Sequence, residues 1–60
     1  MTTIRIILTK GRRQETVTIR ISDITDAVEI YNAVLDTGRT HIEAVECLRL
    51  MNLGAFKIGT

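Results

Sequence analysis

Proline is absent from this chain, only two residues are aromatic, and cysteine occurs once, at position 47. The single cysteine excludes an intramolecular disulfide, and no C-x-x-C or H-x-x-x-H spacing offers a metal site. We therefore expect neither a metal nor a cofactor. One domain of 60 residues buries only about 60% of the surface that its unfolded chain exposes. Such a chain must pack very well as a monomer or gain burial as a homodimer.

Long apolar runs are missing too. No run exceeds three residues, whereas a membrane span needs roughly 20. The N-terminus has no charged region followed by an apolar one, so we expect no signal peptide. With 45% apolar residues the chain is nevertheless apolar enough to fold. A free cysteine without an export signal indicates a reducing, cytoplasmic setting.

What the sequence does contain begins with a β-hairpin over residues 3–21. Two stretches rich in β-branched residues alternate with period two. The register that buries both apolar faces pairs three side chains of each strand: Leu8 with Val17, Ile6 with Ile19 and Ile4 with Ile21. It leaves residues 11–14 as the loop, closed by Lys10 opposite Glu15.

A helical stripe follows over residues 23–37. Its apolar positions recur at i, i+3, i+4 and i+7. They are Ile24, Ala27, Val28, Tyr31, Val34 and Leu35. Acidic and N-cap residues precede the stripe, and Gly38 is placed to end the helix.

Residues 41–53 predict a second helix, introduced by a capping box of Thr40 and Glu43. Its predicted apolar face is Ala44, Val45, Leu48 and Met51, bordered by Cys47 and Ile42. Leu50 and Leu53 fall outside this stripe. Residues 55–59 alternate again and predict a short third strand with Phe56 and Ile58 toward the core.

These elements form one compact domain over residues 1–60. The predicted fold class is α+β in ββααβ order, with a three-stranded, mainly antiparallel sheet. Both helices are expected on one face of this sheet.

Charge is divided unevenly between the two halves. Residues 1–21 carry five basic residues and one acid, a net charge of +4, whereas residues 22–46 carry six acids and one arginine, a net charge of −5. The predicted register sets Arg5 opposite Arg20 on the uncovered sheet face. The candidate partner-binding residues are Arg5, Lys10, Arg12, Arg13, Arg20 and Lys57.

Three apolar side chains are expected outside the core: Ile7, Leu50 and Leu53. A chain that needs extra burial could use them for self-association, which predicts a homodimer. The free sheet edges offer a second route to a partner.

Catalytic motifs are lacking. Cys47 is expected to be a small buried side chain. A set of Cys47, His41 and Asp36 is disfavoured because six helical residues separate the first two by about 9 Å along the axis. We therefore expect no enzyme.

The remaining prediction is a small non-enzymatic protein-binding or regulatory module. In size and economy the chain resembles phage-encoded accessory and inhibitor proteins, although no motif carries that resemblance. The alternative is a nucleic-acid-binding protein that uses the basic hairpin, since a two-stranded ribbon can enter a DNA major groove. Against it stand the low net charge and the lack of aromatic residues on the sheet.

Overall fold

The computed structural model describes residues 1–59 and has the predicted ββααβ order. Its elements are β1 (Thr2–Lys10), β2 (Arg13–Ile21), α1 (Ala27–Asp36), α2 (His41–Asn52) and β3 (Phe56–Gly59). The strands form an open antiparallel sheet in the order β2-β1-β3. Both helices pack on one face, so the predicted α+β architecture is confirmed. Within residues 1–59, no helix has the length and apolar character needed to cross a membrane.

The hairpin pairs in a register two residues away from the predicted one. Ile6 lies opposite Val17 and Ile4 opposite Ile19. A shift of two residues leaves every side chain on its own face, so the apolar pattern fits both registers equally well.

The turn accounts for the shift. Lys10 pairs with Arg13 and not with Glu15, so the loop shrinks to Gly11 and Arg12. Gly11 has a φ of 61°. Within residues 1–59, glycines are the only residues with a positive φ. A positive φ at the first of two loop residues matches a type II′ turn, whose twist suits a tight hairpin.

The core lies between the sheet and the helices. Six strand residues and four helix residues are buried: Ile4, Ile6, Leu8, Val17, Ile19, Ile21, Ile30, Val34, Ala44 and Cys47. All six strand residues are those that the alternation predicts. Full burial of such a side chain contributes about 1.5–3 kcal/mol, which makes this layer the main source of stability.

Helix α1 begins four residues later than predicted. Asp26 is its N-cap, and its carboxylate accepts hydrogen bonds from the backbone N–H groups of Val28 and Glu29. The Glu29 carboxylate reaches back to the preceding loop and accepts from the N–H groups of Ser22 and Asp23. These bonds hold the loop, and they lower the pKa of Glu29, chiefly through the Ser22 hydroxyl.

The buried face of α1 is rotated from the predicted stripe. Ile30 and Val34 are buried, whereas Val28, predicted to face the core, is 69% exposed. The predicted stripe was anchored on Ile24, which lies before the helix begins. Gly38 follows the C-cap Thr37 with a positive φ, so the predicted helix end is confirmed.

Helix α2 starts with the predicted capping box, in which Thr40 and Glu43 bond each other's backbone. Its buried centre is Ala44 and Cys47. Two assignments are corrected. Val45 was expected on the apolar face and is exposed, and Leu50 was expected off the core but packs against it.

Strand β3 lies at the sheet edge beside β1. Its residues pair with Thr3–Ile6, so within residues 1–59 no strand accompanies the second half of β1 on that side. Phe56 packs against the core, but Ile58 is 64% exposed although it lies on the helix side. The reason is that α1 packs mainly on β2 and α2 on β1.

Candidate partner-binding surface

The side of the sheet opposite the helices is bare, and we refer to it as the open face. Strand alternation assigns its side chains. They are Thr3, Arg5, Ile7, Thr9, Gln14, Thr16, Thr18, Arg20 and Lys57. This set holds three cations and no acid. The one strand acid, Glu15, lies on the helix side with Leu8.

The corrected register changes the charge geometry of the open face. Arg5 lies opposite Thr18 on one side and Lys57 on the other, whereas Arg20 lies opposite Thr3. The predicted opposition of Arg5 and Arg20 is therefore wrong. On the open face, the like charges that oppose each other directly are Arg5 and Lys57.

The Arg5 side chain reaches toward Gly59. A Cβ atom at Gly59 would lie 3.6 Å from the guanidinium carbon of Arg5. Because glycine has no side chain, the guanidinium extends over the end of β3. Both Arg5 and Lys57 remain exposed.

An open groove of about 530 Å³ lies beside this pair. It is lined by Arg5, Ile7, Thr16, Gly54, Ala55, Phe56 and Lys57. It forms where β3 begins at Phe56, opposite Ile6, so that within residues 1–59 β1 has no strand neighbour on that side from residue 7 onward. The groove combines an apolar floor at Ile7, which is 46% exposed, with a basic rim.

The three basic residues predicted at the hairpin tip do not form one group. Arg12 and Arg13 are exposed. Lys10 instead points to α2, with its Nζ 2.8 Å from a Glu43 oxygen and 3.9 Å from a Glu15 oxygen. The six predicted residues thus form an open-face group of Arg5, Arg20 and Lys57 and a tip pair of Arg12 and Arg13, with Lys10 held elsewhere.

Arg39 completes a four-residue ion cluster with Lys10, Glu15 and Glu43. Its Nη1 lies 2.7 Å from Glu15 and 3.0 Å from Glu43. Sequence reasoning missed this role of Arg39, although its spacing of four residues from the capping-box glutamate was a usable signal. The cluster fastens the hairpin tip to the start of α2.

The cluster shifts the acidities of its members. The hydrogen bond from Lys10 lowers the pKa of Glu43 to about 2, with further help from the Thr40 N–H and Arg39. The hydrogen bond from Arg39 lowers the pKa of Glu15, and Lys10 adds to this effect. Both carboxylates are thus held in their charged form.

Comparisons with protein-family models, with curated proteins and with solved structures found no match.

The potentially reactive side chains do not converge on a pocket. Cys47 is fully buried, and burial raises the pKa of its thiol. His41 is exposed, and its Nδ1 forms a hydrogen bond with the Tyr31 hydroxyl. Residues 1–59 contain no group of three His, Cys, Asp or Glu side chains that could hold a metal ion.

The residues predicted for self-association lie apart. Ile7 is on the open face, Leu50 packs against the core, and Leu53 is 68% exposed at the end of α2. Sequence reasoning missed Ile42, which is 78% exposed on the same helix. It had placed Ile42 at the border of the apolar face.

Proposed function

We propose that this protein is a small non-enzymatic binding module that regulates an acidic protein partner through the open face. It would act in the cytoplasm as an accessory or inhibitor protein of the phage type, and we propose that it works as a homodimer. The observation that carries the proposal is the grouping of Arg5, Arg20 and Lys57 on a bare sheet face without any acid.

The open face favours an extended acidic segment that also presents an apolar side chain. Exposed ion pairs contribute only about 0–1 kcal/mol each, so three cations alone give weak binding. An apolar side chain entering the groove at Ile7 adds burial, at about 25 cal/mol per Å². The cations then select acidic partners and speed the encounter.

The edge of β1 offers a backbone route for the same segment. In the part of the chain that the structure describes, no strand pairs with residues 7–10 on the β3 side of the sheet. An extended segment lying beside these residues would add main-chain hydrogen bonds there. Its alternate side chains would face Ile7 and the groove.

A protein partner fits this face better than a nucleic acid does. Tyr31 lies in α1, and Phe56 packs against the core although it also lines the groove, so the nine open-face side chains include no aromatic ring for base stacking. The net charge of +1 also provides little long-range attraction for phosphates.

Photo-crosslinking in the native host cells tests the proposal. A photoreactive amino acid replaces Thr18 on the open face, and Asn32, exposed on α1, serves as the control position. We expect a protein adduct from position 18 and none of the same mass from position 32. Equal adducts from both positions would contradict the proposed surface.

Two charge-reversal variants identify the class of partner. Arg5→Glu with Lys57→Glu should abolish the adduct, whereas Arg12→Glu with Arg13→Glu, which changes the net charge equally, should leave it. The opposite pattern, or an adduct that nuclease removes, would favour the nucleic-acid alternative and overturn the proposal.

A further inference from the structure

Helix α2 and its C-cap residue Leu53 carry a second apolar face that points away from the core. Ile42, Val45 and Leu53 are all at least 47% exposed. At 100° per residue, they and Arg49 fall within an arc of about 80°. Ala44 and Cys47, which are buried, lie on the opposite side of the helix.

Two charged residues accompany these apolar ones. Glu46 borders the exposed arc and Arg49 lies within it. Neither side chain takes part in a salt bridge within residues 1–59. The helix therefore presents an apolar residue near each end and opposite charges near its middle.

We infer that a second copy of this chain packs on this face, with the two α2 helices antiparallel about a two-fold axis. Ile42 of one copy then lies level with Leu53 of the other. The same register brings Glu46 level with Arg49, because both pairs are centred between Cys47 and Leu48. Each pairing occurs twice in the dimer.

The agreement of these two pairings in one register is our reason for assigning a second copy of the chain to this face. A single register satisfies the apolar pairing and the charge pairing together, which an unrelated helix has no reason to match. The open face is less suited to the purpose, since its three cations would meet each other in a symmetric dimer. The inference rests on the proposed self-association and leaves the open face free for the acidic partner.

Charge reversal tests the register directly. Sedimentation velocity from about 1 to 300 μM measures the dimer constant of the wild type, of Glu46→Arg, of Arg49→Glu and of the double variant. Circular dichroism checks that each is folded. We expect each single variant to weaken the dimer about tenfold or more, and the double variant to recover most of that loss.

Matched serine substitutions test the apolar contact. Ile42→Ser should weaken the dimer about tenfold or more, because each change alters both halves of the interface. Ile58→Ser, at a similarly exposed isoleucine on β3, should leave the dimer constant unchanged.

The outcomes separate the two proposals. A protein that stays monomeric to 300 μM would overturn both the self-association and this interface. A dimer that responds to Ile58→Ser but not to Ile42→Ser or the charge reversals would retain self-association and overturn this interface. Weakening by the single charge variants without recovery in the double variant would overturn the proposed register.

Discussion

Arg5 and Lys57 lie directly opposite each other across the β1–β3 pair, on the face that no helix covers. Like charges in this position destabilise a sheet by tenths of a kcal/mol. The repulsive pair lies at the edge strand β3, where an acidic partner would reduce the repulsion. The pair therefore links a small loss of stability to the proposed binding.

Replacing one member of this pair should raise stability while weakening binding. Lys57→Glu turns the repulsive pair into an attractive one, so we expect the free energy of unfolding to increase by a few tenths of a kcal/mol. Urea denaturation measures it, with Lys57→Gln as the control that removes the repulsion alone. A lower free energy of unfolding for Lys57→Glu than for Lys57→Gln would contradict this geometry.

The two faces of β1 should differ sharply in their response to truncation. Ile6 is fully buried and Ile7, its neighbour, is 46% exposed on the open face. We expect Ile6→Ala to cost about 2–5 kcal/mol, enough to unfold much of a domain this small. Ile7→Ala should cost less than about 1 kcal/mol. Similar losses in urea denaturation would mean that the sheet faces are misassigned.

Acid should destabilise the protein through the ion cluster. The pKa of Glu43 falls from its ordinary 4.5 to about 2 in the folded chain, and that of Glu15 is also lowered. A depressed pKa stabilises the folded state above the ordinary value, and this contribution is lost as the pH falls from about 4.5 to 2. Thermal melts across this range should show a declining midpoint.

The variant Glu43→Gln isolates this contribution. It keeps the shape of the side chain but removes the charge that Lys10 and Arg39 contact. We expect a lower melting midpoint at pH 7 and a shallower decline between pH 4.5 and 2. A decline as steep as that of the wild type would place the acid sensitivity outside this cluster.

Period-two alternation was enough to predict the strands and every buried strand residue, but not their register. The alternatives that keep Ile6 on the core face differ by two residues, and each buries the same side chains. The turn decides between them, because Gly11 accepts the positive φ of a two-residue loop. Reading that glycine as a tight-turn residue would have given the register.

The helices show a different limit. Ser22, Asp23 and Asp26 are all plausible N-caps, and the choice of Asp26 depends on Glu29 holding the preceding loop. The faces of α2 are ambiguous since apolar residues occur on both sides of it, Cys47 within the core and Ile42 outside. The packing of α2 on β1 decides which side is buried. The residue pattern of α2 alone does not contain this information.

The residues of the open face were predictable from strand alternation, but its groove was not. Alternation places Arg5, Arg20 and Lys57 together once the strands are known. The groove at Ile7 was not predictable, because it arises where the N-terminal end of β3 lies beside Ile6 of β1. Only the paired strands show where that end falls.

A nuclear magnetic resonance titration distinguishes the open face from the hairpin tip as the binding surface. The uniformly ¹⁵N-labelled chain is titrated at low salt with an alternating Glu-Leu peptide and, separately, with a DNA duplex. Binding of the peptide should shift the amide signals of Arg5, Ile7, Thr18 and Lys57 and leave those of Arg12 and Arg13 in place. Shifts confined to the hairpin tip, or a response to the duplex but not to the peptide, would show that the open face does not bind an acidic protein segment.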